Sequence, residues 1–186
     1  MMKYRAYDLV LCVLLLVPIG VLIGLVALLV VLVDKHSPFY VSERIGQNEV
    51  PFLLIKIRTM NDKAPQCATS SHMSKYVTPL GSWLRRFSFD ELPQIINILR
   101  GHMSWVGPRP CLHSEIKLIE KRRRMGIFAL KPGLTGLAQV NGRDTLSTEE
   151  KLYFEQRYMS CMSLSSYTYI IVKTFLVVFL GKQVSY

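Results

Sequence analysis

The chain has 186 residues, which is enough for one domain with appendages. Half of its residues are hydrophobic, and 23 Lys and Arg against 13 Asp and Glu give it a formal net charge of +10. This basic balance indicates an anionic partner, for which nucleic acid, anionic lipid headgroups and phosphorylated substrates are the candidates. The four cysteines form no C-x-x-C pair, so their spacing indicates neither a zinc site nor a disulfide framework.

The first element is an apolar segment of 25 residues, Leu9 to Val33, that contains no charged residue. As a helix it would extend about 37 Å, enough to cross a hydrocarbon core of about 30 Å. Pro18 lies inside it and predicts a kink, because proline removes a backbone hydrogen bond. Two Lys or Arg residues flank the segment closely on each side, so charge favours neither orientation. A kinked transmembrane helix and a re-entrant helix, which enters and leaves by the same face, both fit.

A β-hairpin is predicted next, with strands over residues 39–44 and 50–60 and a G-Q-N loop between them. Alternation along the second strand puts Lys56 and Arg58 on one face. Two neighbouring cations on a strand could bind a phosphate, and a solvated sheet edge is the alternative interpretation.

Two adjacent carboxylates, Asp90 and Glu91, stand in the sequence S-F-D-E-L-P-Q. Ser88 and Glu91 match a capping box at the start of a helix predicted over residues 91–100. Pro93 would clash with the preceding turn if Ser88 were the N-cap, so a start near Asp90 fits better. From this segment alone, the pair is either part of a helix terminus or a reactive site.

Loops rich in glycine and proline carry cations around this pair. Arg109 lies in V-G-P-R-P, and Arg143 closes K-P-G-L-T-G-L-A-Q-V-N-G-R, whose glycines would let backbone amides approach a ligand. Phosphoryl transfer needs carboxylates that hold Mg²⁺ or attack phosphorus, and cations that neutralise phosphate oxygens. The candidate phosphate-binding residues are Lys56, Arg58, Arg85, Arg109 and Arg143.

The remaining segments leave alternatives open. A helix predicted from E-I-K-L-I-E-K-R-R-R-M-G carries the cationic run Lys121–Arg124, which would be a solvated face or would meet anionic lipid. An apolar stretch over 167–180 contains Lys173 and predicts either an interfacial helix or a buried core helix. The cationic run also supports an alternative function, a membrane-anchored basic binding or scaffold protein for anionic lipid or nucleic acid. The acidic pair and the lack of a nucleic-acid motif speak against it.

Two motifs in order, L-R-R-F-S-F-D-E-L-P-Q-I-I-N-I-L-R-G-H-M-S-W-V-G-P-R-P and K-P-G-L-T-G-L-A-Q-V-N-G-R, strongly resemble the bacterial sugar transferase family, the monotopic phosphoglycosyl transferases. The resemblance covers nearly the whole chain, in the short form that has the catalytic core only. It implies a mainly α fold with a small β-hairpin. Residues 1–34 would form a re-entrant helix-break-helix with its break at Pro18, and residues 35–186 a cytosol-facing catalytic domain with interfacial amphipathic helices, one of them C-terminal.

The resemblance also implies an activity, the transfer of a phospho-sugar from a UDP-sugar to undecaprenyl phosphate with release of UMP and a need for Mg²⁺. Asp90 is implied as nucleophile and metal contact, Glu91 as an aid to the metal site or the second substrate, and Arg85 and Arg109 as phosphate binders. Such an enzyme would work at the cytoplasmic face of the bacterial inner membrane, in the first membrane step of a polysaccharide or glycoprotein glycan pathway. Membrane lipids are expected partners and nucleic acid is not; a homodimer is left open, and no residue indicates the sugar.

Three positions depart from the family pattern. Val17 replaces the serine before Pro18, His102 replaces the acid of G-D-M-S, and Leu137 replaces a tryptophan. None of these positions belongs to the acidic pair.

Overall fold

The computed structural model describes residues 2–64, 75–142 and 145–179, with Met2, Lys3 and Phe179 described by their backbone only. These ranges are mainly helical and include one antiparallel pair of strands, as predicted. The helices are α1 Met2–Leu29, α2 Pro79–Arg86, α3 Gln94–Leu99, α4 Ile116–Arg124, α5 Thr148–Ser160 and α6 Leu164–Phe179. The strands are β1 Phe39–Ile45, β2 Pro51–Ile57, β3 Ser104–Val106 and β4 Gly133–Thr135.

Helix α1 continues past Pro18 without interruption and ends in a π-helical turn, Val30–Asp34. Together, residues Tyr4–Asp34 are long and apolar enough to cross a membrane. Pro18 thus lies inside a continuous helix, in which one missing backbone hydrogen bond is tolerated, and the break predicted there stays a prediction. The re-entrant arrangement stays a prediction.

The amino-terminal end of α1 is fixed to the rest of the protein by buried polar contacts. Asp8 is 2% exposed, and its carboxylate accepts hydrogen bonds from the Ser104 hydroxyl at 3.0 Å, the Trp105 backbone N–H at 3.1 Å and the Tyr167 hydroxyl. One turn earlier, the Arg5 guanidinium donates to two carbonyl groups at the end of α3. A carboxylate with three donors is stable in a buried position, so this cluster joins α1, β3 and α6.

The carboxyl-terminal end of the same helix contacts the same domain. Val30 packs with Ile57 of β2 and Leu84 of α2. The Thr78 hydroxyl, which also caps α2, donates to the Asp34 carboxylate at 2.8 Å. Between the two ends, the other face of α1 leaves large apolar side chains exposed, among them Val13, Leu14, Val17, Val21 and Leu25.

The predicted hairpin is confirmed. β1 and β2 pair antiparallel from Phe39 opposite Ile57 to Ile45 opposite Pro51. Helix α3 is fixed to β2 by the buried Asn97 side chain, which donates to the Leu53 carbonyl at 2.6 Å and accepts from the Ile55 N–H at 3.2 Å. Because the acidic pair immediately precedes α3, this contact brings it to the face of the hairpin.

Two short strands that the sequence did not predict, β3 and β4, pair in parallel next to the V-G-P-R-P loop. A Cβ atom on Gly107 would lie 2.2 Å from the Lys131 carbonyl oxygen, and one on Gly133 would lie 2.1 Å from the Gly107 nitrogen. At these positions glycine is needed because two backbone segments approach each other closely. Close backbone packing therefore explains the glycine at position 133, and the prediction that the glycines of K-P-G-L-T-G let a ligand approach stays a prediction.

Helix α6 combines the two alternatives left open for it. Tyr167 and Ile170 are buried in the main core, whereas an opposite face leaves Tyr169, Val172, Phe175 and Leu176 exposed. Lys173 donates to the Asn141 side chain at 2.8 Å and so connects α6 to the A-Q-V-N-G segment.

Candidate active site

The acidic pair lies ahead of the helix and not within it. Asp90 and Glu91 occupy a 3-10 turn, Phe89–Glu91, and α3 begins three residues later than predicted, at Gln94. Ser88 has φ 55° and its side chain makes no capping hydrogen bond, so the capping-box interpretation is wrong. Pro93 occupies the N-cap position of α3, where its missing N–H costs nothing.

Both carboxylates are 7% exposed, and cations surround them. Lys56 Nζ lies 2.8 Å from Glu91 Oε1 and 3.9 Å from Asp90 Oδ2. Arg109 Nη1 lies 3.3 Å from the same Glu91 oxygen. Glu91 is thus held by two cations, while Asp90 has Lys56 at a longer distance. Two carboxylates in such different environments are suited to separate roles.

A cleft opens beside the pair, along one face of the hairpin, and we call it the hairpin cleft. Its charged lining residues are three cations and one carboxylate, which makes the cleft electropositive and suits an anionic ligand. It is lined by Arg44, Leu54, Lys56, Glu91, Gln94, Arg109, Pro110, Gly133 and Leu134.

The loop that presents Arg109 is fixed from behind by a buried ion pair. Arg122 of α4 and Glu155 of α5 are both nearly inaccessible and form a bidentate contact. Arg122 Nη1 also donates to the Arg109 backbone carbonyl at 2.9 Å. The pKa of Arg122 is raised by Glu155, against the opposing effect of burial, so the guanidinium stays charged.

The structure brings some of the predicted site residues together and separates others. Lys56, Glu91 and Arg109 line the hairpin cleft, and Asp90 lies beside it, 3.9 Å from the Lys56 amine. Arg58 contacts Asp62, and Arg85 Nε donates to a threonine hydroxyl at 2.8 Å; like Asp90, neither is a lining residue of the cleft. Arg143 lies outside the described residues. The roles of all these residues stay predictions.

Sequence reasoning missed Arg44, although a signal was present. In an antiparallel pair, directly opposed residues share a face of the sheet. Arg44 is opposite Phe52, which by alternation shares its face with Lys56. Combining the register of the hairpin with alternation would therefore have placed Arg44 in the cleft.

The chemistry of the acidic pair is compatible with a magnesium ion shared with a phosphorylated substrate, which stays a prediction. Within the described ranges, no group of three or more His, Cys, Asp or Glu residues could hold a metal. Mg²⁺, however, is commonly bound by one or two carboxylates together with substrate phosphates. Asp90 and Glu91 are the carboxylates that could contribute to such a site.

The cationic run on α4 is largely neutralised within the protein. Besides the buried pair of Arg122, Lys121 contacts Glu149 at 2.5 Å and Arg123 contacts Glu49 at 2.6 Å. The feature that supported a binding or scaffold protein thus offers little free charge for an anionic surface.

Comparisons with known proteins agree with the site. The model of the family described as bacterial sugar transferase matches residues 1–181. The exopolysaccharide production protein ExoY of Sinorhizobium fredii is 36% identical over 187 residues, covering 91% of this chain and 82% of that protein. The uncharacterized sugar transferase EpsL of Bacillus subtilis is 38% identical, covering 86% of this chain and 78% of EpsL. The UDP-glucose:undecaprenyl-phosphate glucose-1-phosphate transferase of Escherichia coli is 40% identical, covering 83% of this chain but 35% of that protein. This chain therefore belongs to the bacterial sugar transferase family and is a phosphoglycosyl transferase.

Proposed function

We propose that the protein transfers a phospho-sugar from a UDP-sugar to undecaprenyl phosphate and releases UMP. The observation that carries this proposal is the position of Asp90, buried 3.9 Å from the amine of Lys56, which lines an electropositive cleft. A nucleotide diphosphate sugar presents two adjacent phosphates, and such a cleft would bind them. Relatives named for transfer from UDP-glucose to undecaprenyl phosphate support the choice of donor and acceptor.

The chemistry proceeds in two displacements at one phosphorus atom. In the first, a carboxylate oxygen of Asp90 attacks the sugar-linked phosphorus, the bond to the bridging diphosphate oxygen breaks, and the electron pair leaves with UMP. In the second, a phosphate oxygen of the lipid attacks the same phosphorus and the Asp90 carboxylate is regenerated. Both nucleophiles act as oxyanions, a carboxylate and a phosphate, so neither step requires a proton to be removed from the attacking oxygen.

The surrounding cations stabilise the charge that develops during both steps. Lys56 and Arg109 point toward the pair and can neutralise phosphate oxygens, while Glu91 holds these two cations in place. Mg²⁺, bound by Asp90 and the substrate phosphates, would supply further charge neutralisation at the transferred group.

The same proposal includes a monotopic attachment to the cytoplasmic face of the inner membrane. Its support is that both ends of α1 contact one domain, through Asp8 at the amino-terminal end and Asp34 at the other. A helix that spanned the bilayer would separate its ends by about 30 Å of hydrocarbon, so one domain could not bind both. The exposed apolar faces of α1 and α6 would face lipid, and the hairpin cleft would lie near the headgroups where the acceptor phosphate is found.

The covalent intermediate gives the decisive experiment. Purified enzyme incubated with Mg²⁺ and a UDP-sugar carrying a labelled sugar, without lipid acceptor, should release UMP and retain label on Asp90. Peptide mass spectrometry would locate the adduct, and the steady-state kinetics should be ping-pong. A panel of UDP-sugars in this assay would also identify the sugar.

The Asp90→Asn variant alone would not distinguish a nucleophile from a metal ligand, because both roles would be lost. Sequential kinetics without a phospho-sugar adduct would refute the covalent route, while UMP release that requires the lipid would still support the transfer. Release of no nucleoside monophosphate from any UDP-sugar would refute the proposed function as a whole.

A further inference from the structure

Arg44 is a cation of the hairpin cleft that has no carboxylate partner among the described residues. Its side chain lies in the cleft, and its Nε donates to the Ser42 hydroxyl at 3.3 Å. Among the described residues, no carboxylate lies within ion-pair distance of Arg44. Burial, and then the like charge of Arg109, lower the pKa of Arg44, against a smaller opposing effect of the Glu115 carboxylate.

A half-buried guanidinium beside another guanidinium is unfavourable in the free protein, because the two charges repel each other and both lose hydration. Lys56 and Arg109 both contact the Glu91 carboxylate, and Lys56 also lies 3.9 Å from Asp90. For Arg44, by contrast, no ion pair with a carboxylate is found in the part of the chain that the structure describes. An anion between Arg44 and Arg109 would relieve the repulsion and make charge-assisted hydrogen bonds to both.

The register of the hairpin separates Arg44 from Lys56, the cation beside the reacting carboxylate. Arg44 stands opposite Phe52, and Lys56 follows four residues later on β2. At about 3.4 Å per residue, the backbones of Arg44 and Lys56 are about 14 Å apart along the strand. With their long side chains, the two cations can reach adjacent groups of an extended ligand. A diphosphate, with two linked phosphate groups, has that form.

We propose that Arg44, together with Arg109, forms an anion subsite for the phosphate that leaves with the nucleoside. The sugar-linked phosphate lies at the other end of the cleft, beside Lys56 and Asp90. This inference rests on the proposed function and gives the donor a direction in the cleft. It also assigns Arg44 to the first displacement alone, since UMP has left before the lipid phosphate attacks.

The test uses the full-length enzyme in detergent or lipid nanodiscs. Arg44→Gln should weaken product inhibition by UMP, and raise KM for the UDP-sugar, by about tenfold or more, as expected when a charge-assisted hydrogen bond is lost. KM for undecaprenyl phosphate should stay unchanged. Arg44→Lys keeps the charge but not the planar fork, so its loss should be intermediate.

A thermal unfolding experiment separates binding from a structural role. Arg44→Gln removes an uncompensated charge, so the ligand-free variant should melt at the same temperature as the parent or higher. Inorganic pyrophosphate should raise the melting temperature of the parent more than that of the variant. The matched control is Arg123→Gln, an exposed arginine that contacts Glu49 in the hairpin turn and lies outside the cleft.

Unchanged inhibition by UMP in Arg44→Gln would overturn the inference. A lowered melting temperature, together with an equal rise in KM for the UDP-sugar and for undecaprenyl phosphate, would overturn it as well. Failure of the proposed function gives a different result, because the parent would then release no UMP from any UDP-sugar. The pyrophosphate titration does not depend on that activity and would still decide whether Arg44 binds a diphosphate.

Discussion

Two buried tyrosines in neighbouring helices differ in what their hydroxyl groups contact. Tyr167 of α6 is completely buried, and its hydroxyl contacts Asp8 and, at 2.9 Å, the Ser104 hydroxyl. Tyr158 of α5 is 2% exposed, and its hydroxyl has no hydrogen-bond partner in the described part of the structure. The Tyr167 hydroxyl therefore stabilises the fold, whereas the buried Tyr158 hydroxyl, which makes no hydrogen bond there, does not.

We expect Tyr167→Phe to lower the free energy of unfolding by about 1–3 kcal/mol, because it leaves the buried Asp8 carboxylate short of a donor. Tyr158→Phe should leave stability unchanged or raise it, since it removes a buried polar atom that makes no hydrogen bond. Thermal or denaturant unfolding of the two variants in the same detergent measures the difference. Equal losses in both would contradict the described hydrogen bonding.

The stabilities of these variants and the parent should differ further at alkaline pH. Burial raises the pKa of both tyrosines, with Asp8 contributing further to the pKa of Tyr167. In the unfolded chain the two tyrosine hydroxyls ionise near pH 10, whereas in the folded protein they stay neutral to higher pH. Their contribution to stability is therefore fully present below about pH 10 and is lost as the pH rises further. Tyr158→Phe should therefore lose less stability than the parent above about pH 10.

At the scale of elements, helices α4 and α5 hold the loop that presents Arg109, although neither helix contains it. The buried pair of Arg122 and Glu155 joins the two helices, and Arg122 holds the carbonyl of Arg109. The guanidinium of Arg109 reaches Glu91 on the other side of the loop. Arg122 is thus a positioning residue for the hairpin cleft.

Arg122→Met should destabilise the protein by about 3–5 kcal/mol, because it leaves Glu155 buried without a partner. The double variant Arg122→Met with Glu155→Leu should recover most of this stability, since a buried pair can be replaced by apolar groups of similar volume. It should not recover KM for the UDP-sugar, because the Arg109 carbonyl still lacks its donor. If KM returns to the parental value along with stability, the ion pair has only a structural role.

Much of this arrangement could be predicted from short segments, and some of it could not. Alternation and a glycine loop predicted the hairpin and its Lys56, and a family resemblance singled out Arg85, Asp90, Glu91 and Arg109. The 3-10 turn at the acidic pair depends on packing of α3 against β2, which local propensity does not contain. For the same reason, Arg122 appeared to be one of four solvated cations, since its partner is 33 positions away in the sequence.

At the scale of the whole molecule, the attachment of both ends of α1 to one domain predicts its topology. Single cysteines at Ala6 and Ser37, both exposed, should react with a membrane-impermeant reagent from the cytoplasmic side only. Cysteine at Ser114, exposed ahead of α4, reports the side on which the domain lies. The native residues Cys12, Cys67, Cys111 and Cys161 would be replaced first.

Pro18→Ala should leave this labelling pattern unchanged, because the contacts of Arg5, Asp8 and Asp34 hold both ends of α1 independently of the proline. Labelling of Ala6→Cys from the periplasm, with Ser37→Cys and Ser114→Cys still reached from the cytoplasm, would show that α1 is an ordinary transmembrane helix.

The burial of Asp8 and Cys12 against β3 and α6 bears on how the protein is made in the cell. Part of the hydrophobic core of the domain comes from α1, the apolar helix proposed to enter the lipid, so the domain cannot complete its core before that helix is available. Of these elements α1 is translated first, and the residues that enclose Asp8 follow 96 to 159 residues later. Insertion and folding would therefore finish as one event at the bilayer, and a shortened version without α1 would be an open, aggregation-prone fragment and not a water-soluble enzyme.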